Sequence, residues 1–280
     1  MERELYLKKI HEEILTVMDV VDHLCRKNNI HYFLISGTLL GAIRHGGFIP
    51  WDDDLDIVMP RNDFNRFLEL CGEQLPEGFE LNWITTDPHY WRIYAKVSNK
   101  QTTFLEQSAQ RKCGIFVDIF PIDDTDGYGR IVELRKQIIK KLVVIISGKR
   151  NPESFGGLKK LIVKRLSYKT LFKITTALMT MTNGNKRKCY SNFGSQYPIK
   201  RRTIIKEALG EGRDIQFENR TYIAPNDPDA VLKKIFGDNY LALPPLEKRK
   251  THYPAYVRFS DGTEAFFESE KKILTINDIL

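Results

Sequence analysis

The chain has 280 residues, 42% hydrophobic, 11% aromatic and 28% charged, enough to bury a sizeable core in one large or two small domains and unlike a disordered, collagen-like or fibrous protein. Its longest apolar runs, such as Leu142 to Ile146, fall far short of the roughly 20 residues of a membrane span, and the charged start MERELYLKKIHEE is no signal peptide. The formal net charge of +7 is uneven: residues 130–202 hold 19 Lys and Arg against Glu133 and Glu153, and the rest of the chain holds 24 basic against 34 acidic residues. An acidic body with a basic segment implies that the segment faces a polyanion, either nucleic acid or an anionic lipid surface. Cys25, Cys71, Cys113 and Cys189 have no paired spacing, so reduced cytosolic thiols are expected rather than a disulfide framework or a zinc ribbon.

In chain order, Leu7, Ile10, Ile14, Val17, Met18, Val21 and Leu24 recur at three- and four-residue spacing and predict an amphipathic helix over 2–27. A short strand follows at His31 to Ser36, then a tight turn at Gly37 and Thr38, then a helix from Leu39 to His45 that Gly46 and Gly47 end. Leu55 to Met59 reads as a second strand and Arg61 to Leu75 as a helix, and further strands are expected at Phe79 to Ile84, Tyr90 to Val97 and Gly114 to Phe120. Past Pro121, Asp123 and Asp124 read as loop residues. Lys- and Arg-laced helices are then expected at Arg130 to Ser147, Leu158 to Tyr168, Leu171 to Met181 and Lys186 to Tyr197. The last third returns to mixed character, with Phe217 to Ile223 strand-like and Asp227 to Phe236 helical behind a capping Asn226 or Asp227.

The chemistry concentrates in GTLLGAIRHGGFIPWDDDLD, from Gly37 to Asp56. Asp52, Asp54 and Asp56, two residues apart on an extended chain, project to the same side. Like charges so close repel unless a cation sits among them, and hard oxygen ligands suit Mg²⁺. The plain alternative is a solvated acidic turn, but Pro50, Trp51, Leu55, Ile57 and Val58 describe a rigid loop entering a core strand. An EF-hand loop fails because Ile57 stands where its turn glycine belongs. Gly37 and Thr38, at a strand-to-helix turn, offer a phosphate close approach, a hydroxyl and a helix N-terminus. Arg44 and His45 would add charge to the same phosphates, or else be a surface arginine and a helix-ending histidine. Lys96, in IYAKV, is either a phosphate clamp or an ordinary exposed strand lysine.

This segment, from Phe33 to Asp56, resembles the signature of the LicD family, phosphotransferases related to the fukutin-type enzymes with a nucleotidyltransferase fold. The resemblance extends to IFGDNYLALPPLEKRKTHY, from Ile235 to Tyr253, with Phe236 where the family usually has Tyr. It implies an α+β, nucleotidyltransferase-like mixed sheet with flanking helices: a catalytic core over 1–127, a basic helical insertion over 128–202 and a completing part over 203–280. It maps the Gly-Thr turn on Gly37 and Thr38 and the paired acids on Asp54 and Asp56, with Asp52 as a further family acid. For the third carboxylate the candidate is Asp118, in the apolar run GIFVDIFPID, where a charge without a partner would be costly. His252 holds a family position.

The implied reaction is Mg²⁺- or Mn²⁺-dependent transfer of a phosphocholine-type group. The donor would be CDP-activated, such as CDP-choline, and the acceptor a sugar hydroxyl of a lipid-linked glycan, a teichoic acid, lipopolysaccharide or capsule precursor. Asp54, Asp56 and Asp118 would hold the metal, and Asp118 or Asp52 would take the hydroxyl proton. The basic helices of 130–202 would then rest on the anionic inner face of the plasma membrane, making the protein cytoplasmic and peripheral; their alternative is packing on the core with snorkelling lysines. Two other readings are a nucleotidyltransferase acting on nucleic acid, for which no RNA-binding module is evident, and a non-catalytic membrane-associated binding protein.

Overall fold

The computed structural model describes residues 2–88, 90–106, 112–149, 155–184, 186–249, 251 and 253–267. The first helix, α1 (Glu2–Lys27), turns the predicted stripe inward, with Ile10, Ile14, Val17, Met18 and Val21 all at 2% exposure or less. It is followed by β1 (Phe33–Leu34), α2 (Ser36–His45), β2 (Asp56–Pro60), α3 (Arg61–Gln74), β3 (Phe79–Asn82), β4 (Ala95–Asn99), β5 (Thr103–Leu105) and β6 (Phe116–Thr125). The basic segment contributes α4 (Arg130–Gly148), α5 (Gly157–Arg165), α6 (Tyr168–Thr180) and β7 (Cys189–Ser191). Then come β8 (Thr203–Ile205), α7 (Lys206–Leu209), β9 (Arg213–Phe217), β10 (Arg220–Ala224), α8 (Pro228–Phe236), β11 (Tyr256–Arg258) and β12 (Glu264–Phe266). The fold class is α+β, as expected.

The main sheet is mixed, in the order β1-β2-β6-β4-β3, with β7 joining the far end of β6 and β8 joining β7. Its one parallel pairing, β2 with β6, sets Asp56 beside Asp118 and Ile57 beside Ile119. β4 runs antiparallel on the other side of β6 and sets Lys96 beside Asp118. Val117, Ile119 and Asp118 are all buried, so β6 is covered on both faces. Phe116, Val117, Ile119 and Ile122 supply its apolar side chains, as suits a strand covered on both faces.

Several elements differ from expectation. Lys186 to Tyr197 is not helical: Cys189–Ser191 pairs with Asp123–Thr125 and with Thr203–Ile205, an open strand edge overriding weak local preference. Asp123 and Asp124 are strand residues, because β6 continues through Pro121. The proline falls between the stretch paired with β4, which ends at Ile119, and the stretch paired with β7, which starts at Asp123, where a missing N–H is tolerated. Phe217 to Ile223 is the turn half of a hairpin, β9 and β10, with Phe217 opposite Arg220. α8 forms as predicted, with Pro228 in its first turn and the Asp227 side chain accepting from the Ala230 N–H at 3.0 Å.

The basic helices pack on the core along one face. Leu171, Phe172, Thr175 and Met179 of α6 are buried, and Phe172 meets Trp83 edge-on at 5.5 Å. From α4, Lys136 is buried and donates to the Phe193 carbonyl at 2.7 Å and to that of Ser195. The outward faces expose Ile131, Leu134 and Ile138 on α4 and Ile174 on α6. No helix among the described residues is long and apolar enough to cross a membrane.

Arg61, at the start of α3, grips the fully buried Asp123 bidentately at 2.9 and 2.7 Å. Removing one partner strands a buried charge, so Asp123→Ala should cost about 3–5 kcal/mol in urea denaturation, and Arg61→Met/Asp123→Leu distinctly less; equal losses would contradict this. Burial pushes the Lys136 amine from its ordinary 10.5 down to about 8. Between those values the unfolded chain holds a proton that the folded chain has lost, so stability rises with pH across that window. The stability of the wild type relative to Lys136→Met should climb accordingly, and a flat difference would rule this out.

Candidate active site

Three charged side chains stand in a row across three adjacent strands: Asp56 on β2, Asp118 on β6 and Lys96 on β4. Directly paired residues project to one face of a sheet, so the register alone brings them together. The seat of Asp56 is rigid, since its N–H donates to Thr38 Oγ1 at 2.8 Å and its carbonyl accepts from the Ile35 N–H at 3.2 Å. The Thr38 hydroxyl therefore ties the start of α2 to the start of β2. Lys96 is not an exposed strand lysine: it is 3% exposed, with Nζ 3.2 Å from Asp118 Oδ1, 2.9 Å from Glu106 Oε1 and over the Phe116 ring. The partner that the sequence did not reveal for Asp118 is this lysine.

Asp52 and Asp54 lie on the loop between α2 and β2, which is held from two sides. Gly46 ends α2 at φ +72°, a left-handed conformation favouring glycine. The chain then folds back so closely over Gly41 that a Cβ there would lie 2.3 Å from the Gly47 carbonyl. The turn between β9 and β10 clamps this return: the Glu218 N–H donates to the Gly46 carbonyl at 2.7 Å, and its carboxylate accepts from the Phe48 N–H at 2.9 Å. On the other side, His11 of α1 stacks on Phe48 with ring centroids 3.9 Å apart, and its Nε2–H donates to the Asp52 carbonyl at 2.7 Å. The Asp52 carboxylate rests over Gly37, where a Cβ would come within 2.6 Å of Oδ2.

The charges are crowded. Burial, with Asp118 and Asp52 nearby, pushes the Asp56 carboxyl up to about 8, against the opposing pull of Arg202 and Lys96. Burial and then Asp56, Asp52 and Asp53 raise Asp54 well above its ordinary value, and burial with Asp52 takes Asp53 to about 7. Burial also raises Asp118, against Lys96 and Arg92. Nearby, Arg92 pairs with Glu106 and with the Tyr94 hydroxyl. Burial alone would raise Glu106, but Lys96 and Arg92 outweigh it and hold the carboxyl below its ordinary value.

The donor set is all hard oxygen, and the buried Asp118 Oδ1 has the Lys96 ammonium 3.2 Å away. Such a set fits Mg²⁺ or Mn²⁺, with substrate phosphate oxygens completing the shell. Among the described residues, no three His, Cys, Asp or Glu side chains are grouped as a ready-made metal site; Lys96 instead balances part of the charge.

Arg44 and His45 lie at the other end of α2. Arg44 donates to the carbonyls of Ala242 and Tyr240 at 3.2 and 3.4 Å, His45 meets Trp51 edge-on at 6.1 Å, and Arg249 lies 5.0 Å from the same ring. They form a cationic cluster beside Trp51 rather than part of the aspartate row. His252 lies outside the described residues. Sequence reasoning missed His11, Arg92, Glu106, Glu218 and Arg202, each distant in sequence from the motif and without a motif of its own. A pocket of about 490 Å³ lies at the opposite end of β2 and β6, lined by Pro60, Ile122, Asp124, Tyr190 and Lys206.

Gly37 and Thr38, expected as a turn, form the first turn of α2, which faces carboxylates on two neighbouring strands of the mixed sheet. Residues 29–140 match the domain family described as LicD/FKTN/FKRP, nucleotidyltransferase domain. Over 270 residues, 90% of this chain and 97% of the relative, the sequence is 28% identical to the lipopolysaccharide cholinephosphotransferase LicD of Haemophilus influenzae. It is 55% identical over 80 residues, 29% of each chain, to an uncharacterized protein of Rickettsia prowazekii. Across 45 residues it is 42% identical to the human ribitol 5-phosphate transferase FKRP, covering 16% of this chain and 9% of that one. Residues 29–140 are thus similar to the LicD/FKTN/FKRP nucleotidyltransferase domain, the resemblance that the motif carries.

If Glu218 braces the aspartate loop, Glu218→Ala should cost about 1–3 kcal/mol and Glu218→Gln, which keeps an acceptor for Phe48, much less. Urea midpoints of the two variants check this, and equal midpoints would remove Glu218 from the role.

Proposed function

We propose that this transferase moves a phosphocholine-type group from a CDP-activated alcohol to a sugar hydroxyl of a lipid-linked, cell-surface glycan precursor. The observation that carries the reading is the Asp56–Asp118 pair, with Asp56 tied to Thr38 at the start of α2, in a chain similar along 90% of its length to a lipopolysaccharide cholinephosphotransferase. Held by Asp54, Asp56 and Asp118, Mg²⁺ or Mn²⁺ would supply positive charge against a diphosphate and the charge developing on it.

The chain's own residues supply the rest. Gly37, without a side chain, leaves room at the start of α2 for the Asp52 carboxylate. The sugar oxygen forms a bond to the alcohol-bearing phosphorus as the bond from that phosphorus to CMP breaks, and the hydroxyl proton passes to a carboxylate, Asp118 or Asp52. Lys96, fixed between Asp118 and Glu106, holds the Asp118 side chain in place.

The exposed face of α4, with Ile131, Leu134 and Ile138 beside Lys140 and Lys141, supports peripheral docking on the anionic cytoplasmic face of the plasma membrane, where such acceptors are built.

Incubated with CDP-choline, Mg²⁺ and a lipid-linked glycan, the protein should release CMP. Asp54→Asn/Asp56→Asn should lower release by at least about 100-fold, and EDTA should abolish it until Mg²⁺ is restored. Release that persists in the double variant would sink the catalytic assignment. Vesicles containing anionic lipid should retain the protein at low salt and lose it at high salt; indifference to lipid charge would remove the membrane from the proposal.

A further inference from the structure

Arg202 closes the short 3₁₀ turn Ile199–Arg202, at the last position of the basic segment, yet it reaches the start of α2. Its Nη1 donates to Ser36 Oγ at 2.7 Å. Ser36 is a non-glycine residue at φ +54°, immediately before the Gly37 turn, so the arginine holds a backbone conformation that L residues rarely adopt. The guanidinium packs on the Tyr197 ring at 4.4 Å, which fixes its plane, and it exerts its pull on Asp56.

The arginine is nevertheless not matched. Its Nε is buried without a hydrogen-bond partner, and among the described residues no carboxylate lies within ion-pair distance of it. Lys96 and Arg92, by contrast, are committed to Glu106. A half-buried guanidinium with spare donors is costly unless an anion completes it, and its planar fork suits phosphate oxygens. The Thr38 hydroxyl accepts from Asp56, which leaves Ser36 as the hydroxyl that the arginine presents beside the turn.

We infer that Arg202, held by Ser36, is a phosphate-binding residue of this site and takes the diphosphate of the donor. The inference rests on the reading of the site as a nucleotide-diphosphate site. It makes the end of the basic segment part of the catalytic surface.

The test is calorimetric binding of CDP, inorganic pyrophosphate and cytidine, each with Mg²⁺, to the wild type and to Arg202→Ala, Arg202→Gln and Arg202→Lys. Charge-assisted hydrogen bonds of ordinary strength predict affinities for CDP and pyrophosphate about 10- to 100-fold weaker in the Ala and Gln variants. The Lys variant, which keeps the charge without the fork, should fall between, with cytidine affinity unchanged. If Arg202→Ala does not fold, Gln and Lys give the same comparison. Unchanged CDP and pyrophosphate affinity would overturn the inference, as would a parallel loss of cytidine affinity or a wild type that binds neither phosphate compound. A wild type that binds CDP through Arg202 but releases no CMP from CDP-choline would refute the donor and leave Arg202 standing.

Discussion

Asp56 and Asp118 are paired across β2 and β6, and at cross-strand spacing of about 5 Å two carboxylates repel by about 3 kcal/mol at an effective dielectric of 20. The surrounding structure is organised around that repulsion. Lys96 takes the third place in the row and balances Asp118, and Glu106 with Arg92 balances the lysine in turn. Arg202 offsets Asp56 from the side of α2. The backbone is held as firmly as the charges, because Thr38 and Ile35 bind both polar groups of the Asp56 peptide backbone. The carboxylates thus keep their places without relaxing away from one another.

The division of the chain into an acidic body and a basic segment changes meaning in three dimensions. Of the basic residues in 130–202, Arg135 and Lys136 are buried structural groups, Lys136 holding the carbonyls of Phe193 and Ser195. Arg202 borders the aspartates. Lys140 and Lys141 lie exposed on the outer side of α4. One stretch of sequence therefore serves packing, the border of the aspartates and the outward face, and β7 stitches it into the main sheet beside β6.

Much of the site was legible because its residues are adjacent in sequence. Gly37, Thr38, Asp52, Asp54 and Asp56 fall within twenty residues, and period-two alternation put the acids on one side of the chain. Asp118 could be found as a charge in an apolar strand. The regular elements with strong periodicity, α1, α3 and α8, were equally plain. What could not be read was set by long-range register: that Lys96 would lie opposite Asp118, that Asp123 would continue a strand past Pro121 to meet Arg61, and that Cys189–Ser191 would pair with that strand instead of joining a helix. Arg202 was hidden for another reason. In the run Lys200-Arg201-Arg202 nothing distinguishes the arginine that turns inward from the two beside it.

The clamp of Glu218 on Gly46 and Phe48 spans 170 residues of sequence. A chain emerging from the ribosome presents its aspartate loop early and the hairpin that steadies it late, with the whole basic segment made in between. Contacts of such separation carry a large entropy of closure and form late in folding. The loop therefore acquires its final shape only when synthesis is well into the final third, and a truncated chain would carry every aspartate of the row and the loop and still lack the brace that holds that loop.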